Sequence, residues 1–221
     1  AIQLIANNVR QNLSSVAVVY FNSIAVEYNL GVRKLLWGSG HCYTHEGDRL
    51  LVTRNSPALG LSNGDLVKVH SVLTSQLIET VRLPNGQFVN LKFREVRLMS
   101  DLDGNDCHQD TVQCIILENL LYSSSSDLKP EEQDGLYELV KQRNPYLDPN
   151  SAGFEEAMRD DPYYNALQVR FGYALTCHKA QGGEWHQVIV DSIGVRLDLE
   201  QGKRWLYTAV TRASKSLLLV Q

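Results

Sequence analysis

The residues best suited to chemistry lie in one short segment, from Tyr173 to Trp185. An apolar run there ends in a hydroxyl residue, and a polar loop with two glycines follows it. Ligand-binding loops lie at the carboxyl ends of strands in open α/β sheets, and glycines let the backbone approach a phosphate or a sugar. The same pattern also fits an ordinary connection between a strand and a helix. The side chains that could donate to phosphate oxygens are Thr176, His178, Lys179 and Gln181, and Glu184 could accept from a ribose hydroxyl.

A second segment, from Arg204 to Lys215, reads as a helix that ends near Arg212 before a closing strand. A guanidinium is always charged, and its planar fork of donors suits a phosphoryl oxygen. An arginine supplied by a neighbouring domain can stabilise the charge that builds up during phosphoryl transfer. An exposed arginine near a helix C-terminus is also electrostatically favourable without any ligand. Taken alone, this segment therefore leaves both interpretations open.

Together, the two segments resemble motifs V and VI of superfamily 1 helicases. The likeness is to the RecD-like branch in particular, which is similar to the exodeoxyribonuclease V alpha subunit. Gly172 to Gly182 resembles motif V of that branch almost residue for residue, and Tyr207 to Ala213 resembles its motif VI. Asn22 to Arg33 looks like the helix that follows the motif IV strand. Gly47 to Leu50 and Leu61 to Asp65 look like parts of the SH3-like barrel inserted in this branch.

This resemblance implies a function and a set of site residues. The parent protein would be an ATP-dependent DNA helicase that translocates on single-stranded DNA, with ATP and Mg²⁺ shared between this region and an N-terminal RecA-like domain. Arg212 would sense or stabilise the γ-phosphate, with Gln181 coupling the nucleotide state to DNA. The other implied roles are nucleotide binding by Gly182, Glu184 and Arg33, and DNA backbone contacts by Thr176, His178 and Lys179. The likeness is weakest from about 101 to 162, where we recognise no motif.

The hydrophobic pattern predicts α/β material on both sides of a β-rich insert. Ser15 to Phe21 reads as a buried strand, after which Asn22 or Ser23 could cap a helix. Several short strands with tight turns follow, which is typical of a small antiparallel barrel. Val169 to Thr176 reads as one strand of the closing α/β part. The expected fold is thus a RecA-like (P-loop NTPase-type) parallel-sheet domain, residues 1–47 plus 166–221, with an SH3-like β-barrel subdomain and a partly helical acidic extension inserted at 48–165.

The phosphate-binding loop of an ATPase is missing from this sequence. No GxxxxGK followed by Ser or Thr occurs, and the glycines between Trp37 and Cys42 lack the Lys–Ser/Thr pair. No acidic pair follows an apolar strand in the manner of a magnesium-binding motif. ATP hydrolysis needs both a phosphate cradle and a metal ligand. We therefore expect them in a preceding domain, and we expect the chain to be inactive as an ATPase by itself.

Composition narrows the class of protein further. The formal net charge is −4, but residues 99–165 hold fifteen Asp and Glu against four Lys and Arg, so both flanks are mildly basic. Such flanks suit local phosphate contacts rather than a diffuse polyanion binder. The four cysteines form no CxxC pair, and we expect reduced thiols in a cytoplasmic protein. No apolar run reaches the roughly 18 residues of a membrane span.

Two alternatives remain open at this stage. One is a non-catalytic nucleic-acid or protein binding module built on the barrel, since SH3-like barrels often bind partners without chemistry. Its exposed candidate residues would be Phe88, Lys92, Phe93, Arg94 and Arg97. The other is a zinc site, although the spacing fits no standard finger. Its ligands would come from His41, Cys42, His45, Cys107 and His108.

Overall fold

The computed structural model describes residues 1–38, 43–100, 111–125 and 127–220. In these ranges the chain forms five α-helices, two short 3₁₀ helices (Pro57–Leu59 and Glu118–Leu120) and ten strands. The helices are α1 (Ile2–Arg10), α2 (Asn22–Trp37), α3 (Pro130–Arg143), α4 (Ala152–Asp160) and α5 (Glu200–Val210). The strands are β1 (Ser15–Val19), β2 (Arg49–Val52), β3 (Leu66–Val72), β4 (Leu77–Arg82), β5 (Phe88–Ser100), β6 (Val112–Leu117), β7 (Leu167–Phe171), β8 (Ala174–Thr176), β9 (Trp185–Asp191) and β10 (Ala213–Val220).

Four strands form an all-parallel sheet in the order β10-β9-β1-β8. The central strand β1 is buried along its whole length, as its apolar sequence requires. Ala17 and Val19 of β1 pack in the same core cluster as residues of α1 and α2, whereas Val16 and Val18 pack in a cluster with Ala209 of α5. Helices therefore cover both faces. The predicted α/β class and the parallel sheet are confirmed.

The helix α2 follows β1 as predicted, but its first turn differs from the expectation. Phe21 occupies the N-cap position, and no side chain accepts a capping hydrogen bond there. Asn22 and Ser23 lie one and two positions too far along the chain to cap the helix. The helix is held instead by burial of Ala25, Tyr28 and Val32 against the sheet.

The remaining six strands form a second sheet that closes on itself. β2 pairs with β3 and β7, β6 pairs with β7 and β5, and β5 pairs back with β3, so that five strands make a ring. β4 extends the ring as a partner of β5. Inward residues such as Leu50, Val69, Val96, Ile116 and Val169 share one core cluster. The β-rich part is thus a closed barrel, while its SH3-like assignment and the domain limits stay predictions.

The segment predicted as one strand, Val169 to Thr176, is two strands in two different sheets. β7 belongs to the barrel and β8 to the parallel sheet, and the chain passes between them at Gly172. A Cβ at Gly172 would lie 2.7 Å from Leu66 Cδ2 and 3.3 Å from the carbonyl carbon of Leu50. The continuous apolar pattern does not reveal this switch, because both strands are buried.

A buried ion pair lies where the barrel meets the helix α2. Arg33 of α2 is 4% exposed and Asp48, next to β2, is 0% exposed. Arg33 donates through Nε to Oδ1 of Asp48 (2.9 Å) and through Nη2 to Oδ2 (3.0 Å), in a bidentate arrangement. The Tyr173 hydroxyl donates to Asp48 Oδ1 (2.9 Å), and the Arg33 guanidinium lies 4.0 Å from the ring centroid of Phe171. Helix α2, the start of β2 and the β7–β8 link therefore meet at one carboxylate.

These contacts correct the assignment of Arg33 to nucleotide binding. Its guanidinium also donates to the Tyr122 hydroxyl (2.9 Å) and to the Tyr43 carbonyl (2.6 Å). Burial alone would lower the pKa of Arg33, but the hydrogen bonds and charge of Asp48 outweigh it and raise that pKa. A buried guanidinium with these acceptors holds the fold together, and it does not face solvent where a phosphate could reach it.

A second buried ion pair changes the interpretation of the barrel surface. Arg94 Nε donates to Glu118 Oε1 (2.8 Å), and both side chains are buried. Burial alone would raise the pKa of Glu118, but hydrogen bonds from Thr44, Arg94 and Gln76 hold it below its ordinary value. Phe93 is 1% exposed in the core. Two of the five residues expected on an exposed binding strand are therefore internal, and only Phe88, Lys92 and Arg97 are exposed.

The zinc alternative falls mostly outside the described residues. His41, Cys42, Cys107 and His108 lie outside them, and His45 stacks between aromatic rings, with its centroid 5.2 Å from that of Trp37. Among the residues that the structure describes, no group of three or more His, Cys, Asp or Glu is placed to hold a metal ion. None of the helices in the same part of the chain has the length and apolarity that a bilayer crossing requires.

The Arg33–Asp48 pair should dominate the stability of the fold. Asp48→Asn leaves the Arg33 guanidinium buried without a counter-charge, so we expect the free energy of unfolding to fall by about 3–5 kcal/mol. Urea denaturation followed by circular dichroism measures this. The control is Asp198→Asn, which breaks the exposed Arg196–Asp198 pair and should leave stability nearly unchanged. Equal effects of the two substitutions would contradict the structural role of Asp48.

Candidate functional site

The segment predicted to carry chemistry is a connection that crosses one face of the parallel sheet. β8 and β9 both run parallel to β1. We call the side of the sheet where the strands end the carboxyl edge, and the side where they begin the amino edge. The end of β8 therefore lies at the carboxyl edge and the start of β9 at the amino edge. Residues 177–184 join these edges on the face covered by α5. Thr176 lies at the carboxyl edge, and Gly183 and Glu184 lie at the amino edge.

Tight turns shape this connection. The N–H groups of Lys179 and Ala180 donate to the Thr176 carbonyl (2.9 and 3.0 Å), and the Gly183 N–H donates to the Ala180 carbonyl (3.2 Å). Gly182 has φ +83°, a left-handed conformation that favours glycine, and no atom lies within 4 Å of the position a Cβ would take. Its backbone is therefore open to an approaching group.

Two small side chains anchor the connection to the sheet. Cys177 and Ala180 are buried in the cluster that includes Val16 and Val18 of β1. The Cys177 thiol lies 3.6 Å from the Trp205 carbonyl of α5 and donates to it. Burial raises the pKa of this thiol, and the positive charge of Arg212 acts in the opposite direction. The anchoring turns the polar side chains between these residues outward.

The polar side chains of the connection are accessible to solvent. His178, Gln181 and Glu184 are exposed, and Thr176 is half-buried at the strand end. Lys179 reaches across to the barrel, where its ammonium donates to Oδ1 of Asn63 (2.6 Å). Hydroxyl, imidazole, amide and ammonium donors therefore follow one another over a short stretch. Such a row suits the oxygens of a phosphodiester backbone.

The Arg212 side chain lies against the second half of the same connection. Its Nε donates to the Thr208 carbonyl (3.0 Å), its Nη2 to the Thr211 hydroxyl (3.1 Å), and its Nη1 to the Gly183 carbonyl (3.4 Å). The backbones of the two segments are also hydrogen-bonded, because the Trp185 N–H donates to the Arg212 carbonyl (2.9 Å). Arg212 is half-buried, so the residue keeps partial access to solvent.

The structure thus sorts the predicted site residues into two adjoining groups. Arg212, Gly182 and Glu184 surround the amino edge of the sheet. The donors near the carboxyl edge are Thr176, His178 and Lys179, and Gln181 lies between the two groups along the chain. Arg33 belongs to neither group, because its partners are in the barrel junction.

One positioning residue escaped the search for chemistry-bearing side chains. Asn29 of α2 is buried, accepts hydrogen bonds from the N–H groups of Tyr173 and Ala174 (2.9 Å each), and donates to the Ala174 carbonyl (3.1 Å). It therefore fixes the strand that leads to Thr176. Its neighbour Tyr28 donates to Asp191 Oδ2 (2.9 Å) at the end of β9. The signal available in the sequence was a polar residue on the face of α2 that also carries the buried Tyr28 and Val32.

Comparison with known proteins finds a family model that resembles the region containing this site. Residues 171–220 match the UvrD-like helicase C-terminal domain family. The match spans β8, the whole connection, α5 and β10, and so includes Arg212. No curated protein matches the chain.

Several solved structures of Pif1 helicases also resemble the chain. Bacteroides Pif1 bound to single-stranded DNA is 15% identical over 93% of this chain and 40% of that chain, with a TM-score of 0.41. Bacteroides Pif1 with ADP-AlF3 and single-stranded DNA is 14% identical over 100% of this chain and 48% of that chain, with a TM-score of 0.44. Pif1 from Candida albicans is 13% identical, covering 100% and 52%, with a TM-score of 0.43. The chain spans roughly half the length of these proteins.

Gly183 packs closely against the ring of Trp185 at the end of the connection. A Cβ at Gly183 would lie 2.8 Å from Cζ3 of the buried Trp185 ring and closer still to Cη2. We expect Gly183→Ala to shift Trp185 and to cost about 1–3 kcal/mol of stability, as overpacking does. Urea denaturation monitored by tryptophan fluorescence tests both effects. The matched control is Gly153→Ala in α4, where the nearest atom is 3.6 Å away and alanine should be neutral or stabilising.

Proposed function

We propose that this chain is the C-terminal motor region of an ATP-dependent superfamily 1 DNA helicase of the RecD-like branch. In this proposal the parallel sheet is the second RecA-like domain and the barrel is its SH3-like insert. The observation that carries the proposal is the position of Arg212, whose guanidinium donates to the Gly183 carbonyl at the end of the connection. The family match over residues 171–220 supports it, because it includes both parts of this contact.

The nucleotide would bind at the amino edge, against a RecA-like domain of the same parent. Arg212 offers a half-exposed fork of donors there, and the open backbone at Gly182 leaves room for a phosphate or sugar. Glu184 is exposed beside them and can accept from a ribose hydroxyl. We assign the phosphate-binding loop and the Mg²⁺ ligands to that other domain, because this sequence lacks their motifs. Bound ATP would supply the free energy that drives closure of the two domains.

Single-stranded DNA would lie at the carboxyl edge, held by its backbone and without sequence readout. Thr176 and His178 would donate to phosphate oxygens, and Lys179 would contribute charge. Gln181 lies between these residues and Gly182, so a change at the nucleotide would reach the DNA through only a few backbone bonds. The turns at Thr176 and Ala180 make this connection stiff enough to transmit such a change.

Removal of the carboxyl-edge donors should weaken DNA binding. For the double variant Thr176→Ala, His178→Ala we expect roughly tenfold weaker binding of a labelled oligothymidylate, measured by fluorescence anisotropy. The control double variant, Thr80→Ala, His70→Ala, removes an exposed hydroxyl and an exposed imidazole from the barrel and should bind normally. Unchanged affinity of the first variant would favour a pure binding module on the barrel instead.

Nucleotide hydrolysis should require the other RecA-like domain. With Mg²⁺ and ATP, the purified 221-residue chain should release no phosphate above a buffer blank. In the full-length parent, Arg212→Ala should lower kcat by about 10³-fold or more, because the charge of the transferring phosphoryl group loses its donor. Arg204→Ala, on the exposed side of α5, is the control. ATP hydrolysis by the chain alone would contradict the assignment of the phosphate-binding loop and the Mg²⁺ ligands to the other domain.

A further inference from the structure

Two exposed aromatic rings directly follow β1 and have no role in the site described above. Tyr20 is 45% exposed and Phe21 is 46% exposed, whereas every residue of β1 itself is buried. Because β1 ends at Val19, both rings lie at the carboxyl edge of the parallel sheet. We call Tyr20 and Phe21 the aromatic pair. The fold leaves about half of each residue in water, where a ligand can reach it.

Contacts with neighbouring groups hold the aromatic pair in place. The two rings meet edge to face, with centroids 4.8 Å apart and an interplanar angle of 82°. The Tyr20 ring also meets the ring of the half-buried Trp205 of α5, with centroids 5.9 Å apart. Phe21 lies over Gly194, where a Cβ would be 3.0 Å from Cζ of the ring and closer still to Cε2. Rings that are fixed before a ligand arrives lose little conformational entropy on binding.

The aromatic pair lies beside the donors proposed to bind DNA. Val19 of β1 pairs in register with Thr176 of β8, and neighbouring strands are about 5 Å apart. The Cys177 N–H donates to the Val19 carbonyl (3.3 Å), so the two chains are still joined where the strands end. Tyr20 therefore lies level with Cys177, between Thr176 and His178 along the chain. Rings and phosphate donors thus share one edge of the sheet.

The charges around the aromatic pair are compatible with a polyanion. Asp191, at the end of β9, is 3% exposed and accepts from the buried Tyr28 hydroxyl (2.9 Å). Lys179, on the β8 side, donates to a neutral amide and has no carboxylate partner among the described residues. The exposed carboxylates that follow β9 are each paired with an arginine, in the pairs Arg196–Asp198 and Arg204–Glu200.

The helix that follows the aromatic pair adds to this balance. α2 begins directly after Phe21, and its first turn contains no acidic residue. The positive end of its helix dipole therefore faces the carboxyl edge without a local counter-charge. Together with Lys179, it makes the surroundings of the rings mildly positive.

Rings beside phosphate donors add a property that the donors lack. Backbone phosphates are present in single-stranded and in double-stranded DNA, so Thr176 and His178 cannot distinguish the two. In a duplex the faces of the bases are covered by their neighbours, whereas an unpaired base can stack on an aromatic side chain. Such stacking tolerates any sequence, because every base has a π-face.

We infer that the aromatic pair stacks on bases of the strand whose backbone is bound by Thr176 and His178, and that it makes the site select unpaired DNA over duplex. The inference rests on the proposed function, because it names what holds the bases of the same strand. It predicts that affinity depends on the presence of bases and on the two rings together.

An oligonucleotide without bases separates stacking from phosphate binding. The 221-residue chain and its variants are titrated into a labelled oligothymidylate and into an abasic strand of the same length, and anisotropy is recorded. We expect the wild-type chain to bind the oligothymidylate about tenfold more tightly than the abasic strand. Tyr20→Ala and Phe21→Ala should each weaken binding of the oligothymidylate about tenfold and leave the abasic strand unchanged. Both variants should also lose preference for the oligothymidylate over a duplex.

Matched substitutions control for the loss of an exposed ring. Tyr207→Ala removes a tyrosine of α5 that is 71% exposed, and Phe88→Ala removes a phenylalanine of the barrel that is 69% exposed. Both should bind normally. Tyr20→Phe should retain affinity, because stacking needs the ring and not the hydroxyl. Tyr20→Leu keeps an apolar contact for Trp205 without a flat ring and should bind as weakly as Tyr20→Ala. Urea denaturation shows whether each variant is folded.

The outcomes distinguish this inference from the proposed function. If Thr176→Ala, His178→Ala weakens binding of both strands while Tyr20→Ala and Phe21→Ala behave like the controls, the aromatic pair does not bind bases and the proposed function stands. Equal affinity of the wild-type chain for the two strands would also overturn the inference. If the wild-type chain binds neither strand, the proposed function fails and the inference fails with it.

Discussion

The fold depends on one buried carboxylate. Asp48 accepts both arms of the Arg33 guanidinium and the hydroxyl of Tyr173, and it also accepts the His45 N–H (2.7 Å). These groups come from a helix on the parallel sheet, a barrel entry loop and the link between the two sheets. A buried charge is costly unless every partner is in place, so the carboxylate defines how the barrel sits against the parallel sheet. Hydrophobic contacts alone would tolerate more than one such arrangement.

The candidate site depends on this arrangement. Asn29, one turn before Arg33 on the same helix, holds the backbone of Tyr173 and Ala174 and so fixes the position where β8 begins. The connection then crosses the sheet and meets Arg212 at the opposite edge. One segment therefore links the residues proposed to contact DNA with those proposed to contact a nucleotide. The barrel contacts the same segment through the hydrogen bond from Lys179 to Asn63.

The distribution of charge follows from these roles. Buried arginines are neutralised by carboxylates, as in the Arg94–Glu118 pair. The acidic residues concentrated in 99–165 lie partly on α3 and α4, for example Glu131 and Glu155 in their first helical turns. Acidic side chains there favour the positive end of the helix dipole.

The sequence by itself determined the local features. The apolar run of β1, the turns between the barrel strands and the polar connection with Arg212 downstream were all predicted from spacing, because hydrophobic period and turn chemistry act over a few residues. Tertiary structure alone decided three other features. It divided Val169 to Thr176 between two sheets, buried Arg33 and Phe93, and brought Lys179 to Asn63, which lies 116 positions away. Such outcomes depend on contacts between residues that are far apart in the chain. Patterns of a few neighbouring residues carry no information about which distant residues will meet.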